Sequence, residues 1–134
     1  MAITVSGKKK QVRKTFTELL SDLRTSSSEK VRYNAARVLG ELGDSKAVEP
    51  SIDVLKKDKN GSVRLYAARA LGELGDTKAT EHLIESLRED RNVDVRVRAA
   101  RALGRLGGAI VVEPLVESLK RLYVSTLSLS ISIL

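Results

Sequence analysis

The apolar positions of the chain follow a helical period that glycine interrupts at regular places. Val31, Ala35, Val38 and Leu42 step by 4, 3 and 4 residues, which traces one face of a 3.6-residue helix. Ala36 and Gly40 lie beside that stripe and are small enough for a neighbouring helix to come close. Gly43 follows the last leucine, where a helix commonly stops in a left-handed residue. Asp44 can then cap a second helix whose stripe is Val48, Ile52 and Leu55. Pro50 falls near its first turn, where a missing N–H does least harm. Ser62 and Asp94 are the expected caps of the first helices that follow.

The unit recurs. Residues 31–43, 63–75 and 95–107 read VRYNAARVLGELG, VRLYAARALGELG and VRVRAARALGRLG, 32 residues apart, and adjacent copies agree at 10 of 13 positions. The second halves repeat more loosely as AVEPSIDVLKK (47–57), ATEHLIESLRE (79–89) and VVEPLVESLKR (111–121). One step further back, FTELLSDLR (16–24) sets Leu20 and Leu23 where Ile52 and Leu55 sit later. A helix pair about 20 Å long cannot bury its apolar face alone, so a period of this length marks a stacked array. The prediction is an all-α fold, an α–α superhelix of three full helix–turn–helix repeats of 32 residues behind a leading half repeat. The half repeat spans 15–30 and the full repeats 31–62, 63–94 and 95–122. A basic N-terminal arm (1–14) and a serine/aliphatic tail (123–134) flank the array. The spacing of Val12, Phe16, Leu19 and Leu23 predicts that a helix starts near Lys9 and runs to Arg24.

The pattern VRxxAARxLGxLGD followed by AVEP and an aliphatic stripe resembles the HEAT-like repeats of phycobilin lyase subunits, over roughly residues 15–122. The resemblance implies an α–α solenoid whose second helices line the concave, ligand-facing side. It implies little about function, since such repeats serve many unrelated tasks. Family members that hydroxylate a modified lysine carry His-Glu pairs in several repeats around two irons. Here the one neighbouring pair is Glu81-His82, in reverse order and unrepeated.

Composition narrows the picture. Aromatic residues make up 3% and Trp is absent, so the core must be built from Leu, Val, Ile and Ala. With no cysteine, a disulfide scaffold, a thiolate metal site and a Cys nucleophile are excluded. The short apolar stretch from Ala2 to Val5 precedes the basic run at Lys8, the reverse of a signal peptide. No stretch reaches the roughly 20 apolar residues that span a bilayer. A cytoplasmic protein without membrane contact is expected.

Catalytic chemistry is hard to find. His82 takes the place of Pro50 and Pro114 early in a second helix and is expected at the surface. It lacks the further ligands that a metal needs, so no metal or other cofactor is expected. Carboxylates form the columns Glu49/Glu81/Glu113 and Asp53/Glu85/Glu117. Asp53–Lys57 and Glu117–Arg121 are i,i+4 pairs in the favourable order, with Lys56, Arg88 and Lys120 as i,i+3 partners, so a charge-laced face is the expectation rather than acid–base work. Arg32, Arg64 and Arg96 recur beside the apolar stripe and suit bonds to an Asp or a loop carbonyl between repeats.

The net charge of +7 is carried by the ends, with +5 over residues 1–14 and +4 over 95–134. A groove that tracks phosphates should be basic along its length. The leading expectation is therefore a non-catalytic protein–protein interaction or scaffold module that binds a protein or peptide on the second-helix face. The candidates are Glu49, Asp53, Lys56, Lys57, Glu81, His82, Glu85, Arg88, Glu89, Glu113, Glu117, Lys120 and Arg121. The alternative is nucleic-acid binding through Lys8, Lys9, Lys10, Arg13 and Lys14 of the arm and the stripe Arg98, Arg101 and Arg105, where Arg105 replaces the Glu of earlier units. A chromophore lyase subunit is the third reading, by resemblance only. The tail alternates Leu127, Leu129, Ile131 and Ile133 with serines instead of opening a polar capping repeat. A truncated array or a poorly ordered tail is expected there, and the open end could drive self-association.

Overall fold

A computed structural model describes residues 2–7 and 10–107, together with Glu117, Lys120, Arg121 and Val124. The antiparallel strands β1 (Ala2–Gly7) and β2 (Lys10–Thr15) pair in a register that sets Val5 opposite Val12. They are followed by α1 (Phe16–Thr25), α2 (Glu29–Leu42), α3 (Val48–Lys57), α4 (Gly61–Leu74), α5 (Thr80–Glu89) and α6 (Val93–Leu106). Two short 3₁₀ turns, Ser45–Ala47 and Thr77–Ala79, lead into α3 and α5.

The helices lie in two layers, α1/α3/α5 and α2/α4/α6. Leu39, Leu71 and Leu103, one repeat apart, are all completely buried between them. Leu42, which the spacing assigned to the buried stripe, is 39% exposed because Leu39 takes its place.

Between the two layers, α1 packs on α2, α3 on α4, and α5 on α6. Each pair straddles a boundary drawn from the sequence. Partners in a pair are joined by the short links 26–28, 58–60 and 90–92, and successive pairs by the glycine–aspartate step. Residues 16–42 thus pack as a helix pair across the boundary between the leading half repeat and the first full unit. The glycines at that step, Gly43 and Gly75, have φ values of 72° and 69°, the left-handed conformation that ends α2 and α4.

Three local expectations are corrected. Residues 10–15 are a strand, not helix. Thr15 Oγ1 accepts from Glu18 N and Glu18 Oε2 accepts from Thr15 N, both at 3.1 Å, and this capping box sets the helix start at Phe16. The first helices are capped by Ser28, Asn60 and Asn92 rather than by Ser62 and Asp94. Asn60 Oδ1 accepts from Val63 N at 3.1 Å. Asp44 and Asp76 cap the 3₁₀ turns, each accepting from the lysine two residues on at 2.9 Å, rather than the second helices themselves. The tail expectation lies outside the described residues, apart from Val124.

Candidate functional site

The links within the helix pairs are held by a ladder of arginines. Arg32 Nε and Nη2 donate to the two carboxylate oxygens of Asp58 at 2.8 and 3.3 Å, and Nη1 donates to Ser26 O at 2.8 Å. Arg64 repeats the arrangement one unit later, with Asp90 at 2.9 and 3.1 Å and Asp58 O at 2.9 Å. Each aspartate thus takes one arginine on its carboxylate and the next on its carbonyl, since Arg96 Nη1 donates to Asp90 O at 2.6 Å. The sequence places Leu122 where the next aspartate of this column would fall. Arg32 and Arg64 are buried, and the ladder supplies the hydrogen bonds that a buried guanidinium requires.

Above this ladder, the end of α3 and the outward side of α5 enclose an open groove of about 480 Å³. Leu55 and the Arg64–Asp90 pair contribute to its lining. Lys56 and Lys57 of α3 and Lys59 of the link form one wall, and His82, Glu85 and Glu89 of α5 form the other. Arg91 Nη2 donates to Lys59 O at 3.1 Å and ties the two links together. His82, expected at the surface, is half-buried in this wall.

The groove is open because the two layers are spaced differently. In the other layer Gly40 lets α2 and α4 close up, so that a Cβ there would lie 2.7 Å from Ala70 Cα. Gly72 does the same for α4 and α6, at 3.0 Å from Ala102 Cα. α3 touches α1 and α5 at few places. α2/α4/α6 is thus the more closely packed layer.

The charged columns form rungs across the second helices. Arg88 Nη2 donates to Glu117 Oε2 at 2.7 Å, and Arg121 lies 3.8 Å from the same carboxylate. One repeat earlier the equivalent residues, Lys56 and Glu85, form no ion pair among the described residues. The i,i+4 pair expected between Asp53 and Lys57 is likewise not formed, whereas Glu117–Arg121 is. Glu49, Glu81 and Lys120 are exposed on the same face.

On the first helices, Arg37–Glu41 and Arg69–Glu73 pair at 3.0 and 2.8 Å. The Glu73 hydrogen bond, with Glu41 nearby, raises the Arg69 pKa above its ordinary value against the effect of partial burial. Tyr33 and Tyr66 stack across α2 and α4 with ring centres 5.3 Å apart. Arg101 and Arg105 of α6 are exposed and Arg98 is half-buried. Of the basic arm, Lys14 binds the Asp22 carboxylate. Lys8, Lys9 and Glu113 lie outside the described residues, as do the side chains of Lys10 and Arg13. Lys59, Arg91, Asp58 and Asp90 were missed as site residues. The recurrence of aspartate at 58 and 90, one period apart, was the signal that could have found the links. Among the described residues no three His, Asp or Glu side chains are grouped to hold a metal ion. No helix among them is long and apolar enough to cross a membrane.

Stacked helix pairs in two layers define the class, an all-α superhelix of repeats. The chain belongs to the HEAT-repeat family: a model of HEAT repeats matches residues 16–96 and again 52–124. The solved structure of the complex of CpcE and CpcF of phycocyanin lyase from Nostoc sp. PCC7120 contains a similar chain, 29% identical, with a TM-score of 0.74. The likeness covers 84% of this chain and 44% of that one, so this chain spans less than half the length of its relative. No curated protein matches the chain.

Proposed function

We propose that the chain is a non-catalytic interaction module of the cytoplasm that holds a protein or peptide on the face of its second helices. The observation that carries this reading is the groove between α3 and α5, whose lysines and glutamates face each other without forming ion pairs among the described residues. Ionic groups held on a rigid scaffold and left unpaired can steer a charged partner and set its register. The similar solved structure is itself an assembly of two different chains, which supports a protein partner.

The test is selection of peptides from a displayed library, followed by binding measurements on variants of the whole chain. Selected peptides should lose at least about tenfold in affinity on Glu85→Lys or Lys57→Glu, as expected for charge pairs across an interface. Arg101→Glu, on the other layer, should leave them unchanged. Selected peptides that respond only to Arg101→Glu would refute the assignment of the face.

A second reading, a subunit of a two-chain chromophore lyase, is favoured by the CpcE–CpcF likeness alone. Titration with a phycobilin separates the two. A saturable change in its visible absorption would favour the lyase reading. Nucleic-acid binding through Arg98, Arg101 and Arg105 is tested by duplex binding against salt, where a steep slope would support it.

A further inference from the structure

We infer that the α3–α5 groove recognises an extended peptide whose side chains alternate in charge, acidic toward α3 and basic toward α5. This rests on the reading of the groove as a partner site and adds the partner's chemistry and conformation.

The conformation follows from the spacing of the acids. Glu85 and Glu89 line the groove, are both exposed and stand four residues apart along α5. Four residues rise about 6 Å, close to the roughly 6.6 Å between alternate residues of an extended chain.

The charge pattern follows from the walls. An extended chain points successive side chains to opposite sides, so one side would meet the glutamates of α5 and the other the lysines at the end of α3. A uniformly acidic peptide would repel the first wall and a uniformly basic one the second. The Arg64–Asp90 pair in the lining is already satisfied and adds little net charge. One repeat later, Arg88 and Glu117 close the equivalent rung on themselves at 2.7 Å. Lys56 and Glu85 keep the same charges at the same register and leave them available, which places the recognition at this step of the array.

The experiment uses labelled decapeptides and fluorescence anisotropy with the full chain. One peptide alternates glutamate and lysine, a second carries the same residues in two blocks, and two more are all acidic and all basic. The alternating peptide should bind at least about tenfold more tightly than the block peptide. It should weaken by a similar factor on Lys56→Glu with Lys57→Glu, and again on Glu85→Lys with Glu89→Lys. These residues are exposed, and unchanged circular dichroism will show that the fold is retained. Equal binding of the alternating and block peptides, or indifference to both variants, overturns the inference. If library-selected peptides of another pattern still respond to Glu85→Lys while the alternating peptide does not bind, the charge pattern fails and the partner face stands. If no peptide responds to any groove variant, both fail together.

Discussion

Arg64 grips both carboxylate oxygens of Asp90, at 2.9 and 3.1 Å, from a position 26 residues earlier in the chain. Its third contact, to Asp58 O, joins two successive links through one side chain. Both members of the pair are less than 10% exposed at the side chain. Removing one partner of a buried pair leaves the other charge uncompensated, which costs about 3–5 kcal/mol. Arg64→Ala should therefore lower unfolding stability by about 3 kcal/mol, the low end, because Asn92 N still donates to Asp90. Arg64→Lys should recover little, since an ammonium cannot present the same fork. The exposed pair Arg88–Glu117 offers the contrast, and Arg88→Ala should cost less than about 1 kcal/mol. Urea unfolding of the three variants checks the order.

The caps show both what the sequence makes legible and where it misleads. Gly43 and Gly75 announce the ends of α2 and α4, because a left-handed residue there has one economical solution. The starts are harder to read, since Asn60 and Ser62 both suit a cap and stand two residues apart. The structure selects Asn60, which also donates to Glu29 Oε2 at 2.9 Å and so ties one link to the preceding pair. Asn60→Ala should cost about 1 kcal/mol, and Ser62→Ala should stay within about 0.5 kcal/mol of the parent. The reverse order in thermal unfolding would restore the cap read from sequence.

The same ambiguity explains the N-terminal hairpin and the groove. Val12, Phe16, Leu19 and Leu23 keep a helical spacing across a strand–helix junction. The Thr15–Glu18 box, a local signal, overrides that period. The groove is less legible still. Its residues come from two elements 32 residues apart, and whether a rung such as Lys56–Glu85 closes depends on layer spacing that no local pattern carries. That spacing is set on the opposite layer, by Gly40 and Gly72.

Gly40 therefore carries a prediction of its own. In a helix interior, alanine is normally favoured over glycine by about 0.5–1 kcal/mol. Here the added Cβ would lie 2.7 Å from Ala70 Cα and 2.9 Å from Ala70 Cβ, and backbone cannot swing aside as a side chain can. Overpacking of this kind costs about 1–3 kcal/mol, so Gly40→Ala should be net destabilising by about 1 kcal/mol. Gly72→Ala, with its nearest backbone atom at 3.0 Å, should lose less. A stabilising Gly40→Ala in denaturant unfolding would contradict the close approach of α2 and α4.

Ser51 gives a prediction of the opposite sign. The column it occupies reads Leu19, Ser51, Leu83 and Leu115, so a hydroxyl stands where the other repeats place a leucine. Its side chain is fully buried, and Oγ has no hydrogen-bond partner among the described residues. A buried, unsatisfied hydroxyl costs about 1–3 kcal/mol of desolvation, and serine is also a poorer helix former than alanine. Ser51→Ala removes the orphan oxygen and leaves a void of only one atom, whose packing cost is small beside that penalty. Stability should rise by about 1 kcal/mol, read as a higher midpoint with an unchanged slope in urea. A loss of stability would contradict the reading of this hydroxyl as buried and unsatisfied.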